Sequence, residues 1–84
     1  MKVFAIITEW FCRGESDATV QVYSTREKAQ AEMENQYKEF LNNDSLAHND
    51  DCVIDKNGNG FTAYEDGNYC DNHLVCSILE REVL

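Results

Sequence analysis

Basic residues are scarce in this chain: seven lysines and arginines stand against sixteen aspartates and glutamates, for a net charge of −9. So few cations cannot assemble the phosphate-contacting face that DNA or RNA requires, so direct nucleic-acid binding is disfavoured. No apolar run is long enough to cross a bilayer, and an anionic membrane surface would repel the chain. The opening MKVFAIITEWF lacks the length and small-residue cleavage site of a signal peptide and reads as a first strand, so a cytoplasmic setting is expected. Long polar low-complexity tracts, internal repeats and linkers are also absent. That leaves one domain over residues 1–84, with a single modest core.

The chain also has no nucleophile elbow, phosphate-binding loop or histidine-bearing metal motif. Its plentiful carboxylates do not by themselves define an acid–base pair, which needs a pocket. A non-enzymatic protein with no cofactor is therefore expected. Tight Cys-x-x-Cys pairs are missing too. The four cysteines, Cys12, Cys52, Cys70 and Cys76, are scattered and read as free thiols, with Cys76 a small buried hydrophobe. The sharper alternative is a zinc site of Cys70, His73 and Cys76 completed by Cys12, Cys52 or His48, but structural zinc prefers paired ligands.

What is present is one clear helical period. In Ser24–Leu41, Ala29, Met33, Tyr37, Phe40 and Leu41 recur at three- and four-residue intervals, with charged residues on the other faces. This stripe is read as core. Ser24 and Glu27 read as a capping box, Glu34 and Lys38 as an i,i+4 ion pair, and Asn42-Asn43 as a left-handed stop.

The remainder reads as strands. Lys2–Phe11 is nearly continuously apolar and suits a central strand. Arg13–Asp17 is a polar turn, and residues 19–23 alternate as a half-buried strand should. After a polar connection, residues 52–54 and 61–64 flank the turn-rich Asn57-Gly58-Asn59-Gly60 as a second hairpin. Residues 74–82 make the last strand, with Leu74, Cys76 and Ile78 assigned to the helix-covered face. The expected fold is α+β: an antiparallel sheet of four to five strands with one amphipathic helix on one face, in the order ββα followed by two or three strands. Its other face is then open. Trp10, Phe11, Tyr64 and Tyr69 are more aromatic surface than two layers hide, so a homodimer through that face or an edge strand is expected.

Two local patterns bear on binding. Asp55, Asn57 and Asn59, with Gly58 and Gly60 between and after them and Asp66 further on, match a calcium-loop template, although no amphipathic helix flanks it. The simpler reading of the same residues is an Asn-Gly hairpin turn. The second pattern is the crowding of Asp44, Asp50, Asp51, Asp55, Glu65, Asp66 and Asp71 into the loop-rich half, with Lys56 as the counter-charge. Clustered exposed carboxylates are attracted to basic protein surfaces, including the grooves of nucleic-acid-binding enzymes. A calcium-binding or purely structural module is the alternative.

The run Ala63-Tyr64-Glu65-Asp66-Gly67 with Tyr69, Asn72-His73, Ile78, Glu80 and Val83 resembles the ends of small proteins encoded by phages, prophages and mobile elements of gut bacteria. The Lys-Val-Phe opening and the helix start Ser24-Thr25-Arg26-Glu27-Lys28-Ala29 are similar as well. This resemblance implies a setting in which short acidic proteins inhibit host defence, as anti-CRISPR proteins do. It implies no site residues.

Overall fold

The computed structural model describes residues 1–67 and 72–83 of the chain. β1 (Lys2–Cys12) turns into β2 (Glu15–Tyr23) through Arg13 and Gly14, whose φ values are 51° and 89°. Positive φ at both central residues gives a two-residue hairpin the twist its strands need, and glycine reaches it without strain. The turn is therefore tighter than the polar stretch Arg13–Asp17 suggested. Glu15, Ser16 and Asp17 instead pair with Cys12, Phe11 and Trp10 as part of β2.

α1 (Arg26–Asn43) follows, then a short 3-10 turn (Leu46–His48), β3 (Cys52–Asn57), β4 (Gly60–Glu65) and β5 (Asn72–Glu82). The strands form one antiparallel sheet in the order β2-β1-β5-β4-β3. The fold is thus α+β, with five strands and one long helix. β5 inserts at the centre, where it pairs with β1 from Lys2↔Glu82 to Cys12↔Asn72. β2 and β3 end up as opposite edges, so the helix between them must cross the sheet. Its 18 residues suffice: they span about 27 Å at 1.5 Å per residue, against roughly 19 Å for four inter-strand spacings.

The core lies between α1 and one sheet face. Ile6, Cys76, Ile78, Phe61 and Ala63 project from the strands against Ala29, Met33 and Phe40 of the helix, and Leu46 of the 3-10 turn closes one end. The face assigned to β5 from the sequence holds: Cys76 and Ile78 are buried and Leu74 packs against them. A polar tie crosses the same interface. Thr8 Oγ1 donates to Gln36 Oε1 at 2.7 Å, and the Cys76 thiol donates to the same oxygen at 3.7 Å. Gln36 Nε2 in turn donates to Gln21 Oε1 at 3.3 Å.

The helix ends differ from their sequence reading by a residue or two. Thr25, not Ser24, is the N-cap, and its hydroxyl accepts from the Lys28 amide at 3.2 Å. A capping box with Glu27 is therefore out of register. At the other end the helix runs through Asn42 and Asn43 and stops at Asp44 in an extended conformation, without a left-handed residue. Leu41 is 37 % exposed and lies off the buried stripe. Glu34 pairs with Lys56 of β3 at 2.7 Å rather than with Lys38 one turn on. Tertiary reach won over the local pair because Lys56 also sits 5.2 Å from the Tyr37 ring, which gives its ammonium two partners at once.

Cys76 is 1 % exposed, as expected of a small hydrophobe, whereas Cys12 is exposed. Burial pushes the Cys76 thiol up from its ordinary value; the Thr8 contact opposes this and the charge of Glu32 adds to it. Since the thiolate is the reactive form, Cys12 is expected to be carbamidomethylated by iodoacetamide at least about 100-fold faster than Cys76 at pH 8. Peptide mass spectrometry over a time course reads both rates. Comparable labelling of the two would mean that the α1–sheet interface opens readily.

Candidate functional site

The connections of the second half bring several carboxylates to one end of the sheet. Asp44 caps the helix and uses Oδ1 to accept from the Leu46 amide at 2.9 Å, which starts the 3-10 turn. Asp50 and Asp51 form the bend into β3, held by Asn49 Oδ1 on the Asp51 amide at 2.8 Å. The Asp66 amide donates to the Asp51 carbonyl at 2.8 Å, locking the exit of β4 beside the start of β3. Glu65 stands opposite Cys52 in the ladder and accepts from Asn72 Nδ2 at 3.4 Å. Burial raises the Cys52 thiol pKa, and the charge of Asp44 adds to it.

Asp44, Asp50, Asp51, Glu65 and Asp66 thus share one end of the molecule. Asp55 does not. It points from the middle of edge strand β3 to the face opposite α1, because its neighbour Lys56 points to the helix. Asp71 lies outside the described residues, as do Tyr69 and Cys70. Lys56 does not serve as counter-charge to these acids, being engaged with Glu34. Among the described residues the ion pairs involve Glu34, Glu80 and Glu82, and none involves Asp44, Asp50, Asp51, Asp55 or Asp66. Arg13 does reach the same end, where it lines a cleft with Cys12, Leu46 and Glu65.

Two further sources of negative potential were not singled out in the sequence. The last turn of α1 carries no basic residue, so the partial negative charge of its carbonyl end adds to the carboxylates beyond it. Glu32 and Glu39 flank Gln36 on the helix and line a groove of about 480 Å³ that opens toward Gln21 and runs to Asp44. Their four- and three-residue spacing from Gln36 was the available signal, masked by the stronger apolar stripe. Glu32 also contributes, after desolvation, to a raised pKa at Tyr23.

The calcium-template residues do not converge. Asp55 and Asn57 lie on β3, where Asn57 Oδ1 accepts from the Asn59 amide at 2.8 Å and Asn59 Oδ1 accepts from Arg26 at 2.9 Å. Both oxygens thus build the hairpin turn and tie it to the helix start. Asp66 sits at the far end of β4, four residues beyond Thr62, the cross-strand partner of Asp55, or about 13 Å along the strand. Among the described residues, no group of three or more His, Cys, Asp or Glu side chains is gathered to hold a metal. No described helix is long and apolar enough to cross a membrane. Comparison of the chain with family models, curated proteins and solved structures finds no match.

Proposed function

We propose that this chain is a non-enzymatic binding protein that presents the carboxylates at the end of its sheet to a basic groove of a nucleic-acid-handling protein. The resemblance to phage and mobile-element proteins makes an inhibitor, of anti-CRISPR or other anti-defence type, the role that fits such a surface. The observation that carries this reading is the gathering of Asp44, Asp50, Asp51 and Asp66 beside the helix C-terminus, with none of them in an ion pair among the described residues. A sheet end held by backbone hydrogen bonds keeps these charges at fixed spacing. They can then match a cationic groove without first being ordered. Cytoplasmic action belongs to the same proposal. Self-association concerns another surface, the sheet face opposite α1.

The test uses the whole chain immobilised and exposed to bacterial lysate at low and high salt, with elution by a competing DNA duplex. Wild type should retain nucleic-acid-binding proteins that the duplex releases, and retention should fall steeply as screening increases. Asp44→Asn, Asp50→Asn, Asp51→Asn and Asp66→Asn combined should reduce retention by about tenfold or more while leaving the fold intact. Asn at position 44 keeps a side-chain oxygen to accept from the Leu46 amide. Retention that is indifferent to these four changes, or to salt, would remove the basis for a cationic partner.

A further inference from the structure

The sheet face turned away from α1 carries few charges, Glu9, Arg81 and, on edge strand β3, Asp55, although the chain is rich in them. Cross-strand register places Val22, Ala5 and Leu79 in one row across this face and Val20 and Ile7 in the next. Phe11 lies further along β1, with its ring stacked on His73 at 5.8 Å. Val20 and Val22 are 62 % and 61 % exposed. α1 packs on the opposite side, and no described element covers these rows.

We propose that two copies of this chain pair through this face, sheet against sheet, about a two-fold axis that crosses the strands. Area and charge both point to a second copy. Over Ile7–Phe11, about 13 Å of strand, the face is five strands or about 24 Å wide, and over Val3–Ile7 it is three strands or about 14 Å wide, roughly 500 Å² in all. Two such faces together bury about 1,000 Å², the lower bound for a specific interface. As for charge, Glu9 and Arg81 lie at opposite ends of the face, because Arg81 pairs with Val3, six residues before Glu9 on β1. A two-fold axis across the strands reverses the strand direction of the second sheet. The Glu9 end of each copy then lies over the Arg81 end of the other, so the opposite charges meet twice by symmetry. A chain of net charge −9 repels its own copies over most of its surface. This face, with three charges among its rows and Val20 and Val22 exposed, offers apolar burial at little like-charge cost.

The experiment is sedimentation equilibrium of the full chain under reducing conditions, so that exposed Cys12 cannot cross-link, from about 1 to 300 µM, a range that brackets the affinity of ordinary dimers. A mass rising to twice that of the 9.7 kDa chain is expected. Val20→Lys with Val22→Lys, both at exposed edge positions, should weaken the dimer at least about tenfold without lowering the monomer's melting temperature. Glu9→Arg or Arg81→Glu alone should weaken it about three- to tenfold, and the two together should restore it to within about twofold of wild type. That rescue separates this pairing from edge-strand addition and from unspecific apolar association. A monomer throughout the range, a dimer indifferent to the valine changes, or no rescue by the double swap would each overturn the proposal. None of these outcomes bears on the carboxylate end, whose test reads retention on a basic partner.

Discussion

Gly60→Ala is expected to lower the melting temperature by at least about 10 °C, or to leave the chain unfolded. Gly60 opens β4 opposite Ser77 of β5, with φ at +157°. A Cβ built there would lie 2.1 Å from the Cys76 carbonyl oxygen and 2.9 Å from the Ser77 Cα. Both obstacles are backbone in the central strand of the sheet, so neither can move without disturbing the β5 pairing that buries Cys76 and Ile78. Overpacking against side chains costs about 1–3 kcal/mol, and against a fixed ladder the cost should exceed that range. A domain of this size has about 4–13 kcal/mol of net stability. Gly58→Ala is the matched control: it sits in the same hairpin with nothing within 4 Å of the added carbon. Thermal melts that place the two variants within about 2 °C of each other would show that β4 and β5 are not this close.

Phe61→Ala is expected to cost about 3–5 kcal/mol. Phe61 is 3 % exposed and meets Tyr37 edge-on at 5.1 Å and Phe40 at 5.9 Å, joining β4 to the second half of the helix. Alanine would remove both ring contacts and leave a cavity that a sheet on one side and a helix on the other cannot close. Phe61→Leu refills most of that volume and should lose less than half as much. Urea unfolding followed by circular dichroism reads both, with an unchanged denaturant slope confirming that folded-state stability is what moved. Because Phe61 lies next to Gly60, the two changes should couple rather than add when combined.

The helix and the alternation of the strands were legible because each repeats a simple period over many residues. Ala29, Met33 and Phe40 are buried as their spacing requires, and Leu74, Cys76 and Ile78 face the helix as assigned. Element ends were less legible. Thr25 took the cap from Ser24 by one residue, and Arg13 accepted a positive φ that its side chain does not favour, because the ladder from Phe4 to Cys12 holds the turn to two residues. The partner of Glu34 was not legible for a related reason: a helix offers Lys38 at the right spacing, but only the folded sheet brings Lys56 to 2.7 Å. Trp10 does not share the open face with Phe11: strand alternation puts it on the helix side across from Leu74, beyond the cover that α1 provides.

By itself the sequence determined the classes of element, the apolar stripe of α1 and the excess of negative charge, since these depend on residue type and local spacing alone. Only the tertiary structure decided which carboxylates share a surface. It carried Asp66 to the backbone of Asp51, set Asp55 on the other face of the sheet, and placed Glu9 and Arg81 at opposite ends of an uncovered one. Such distances are set by strand order and register. These follow from burying one face of β1, β5 and β4 under a single helix, a condition that involves the whole chain at once.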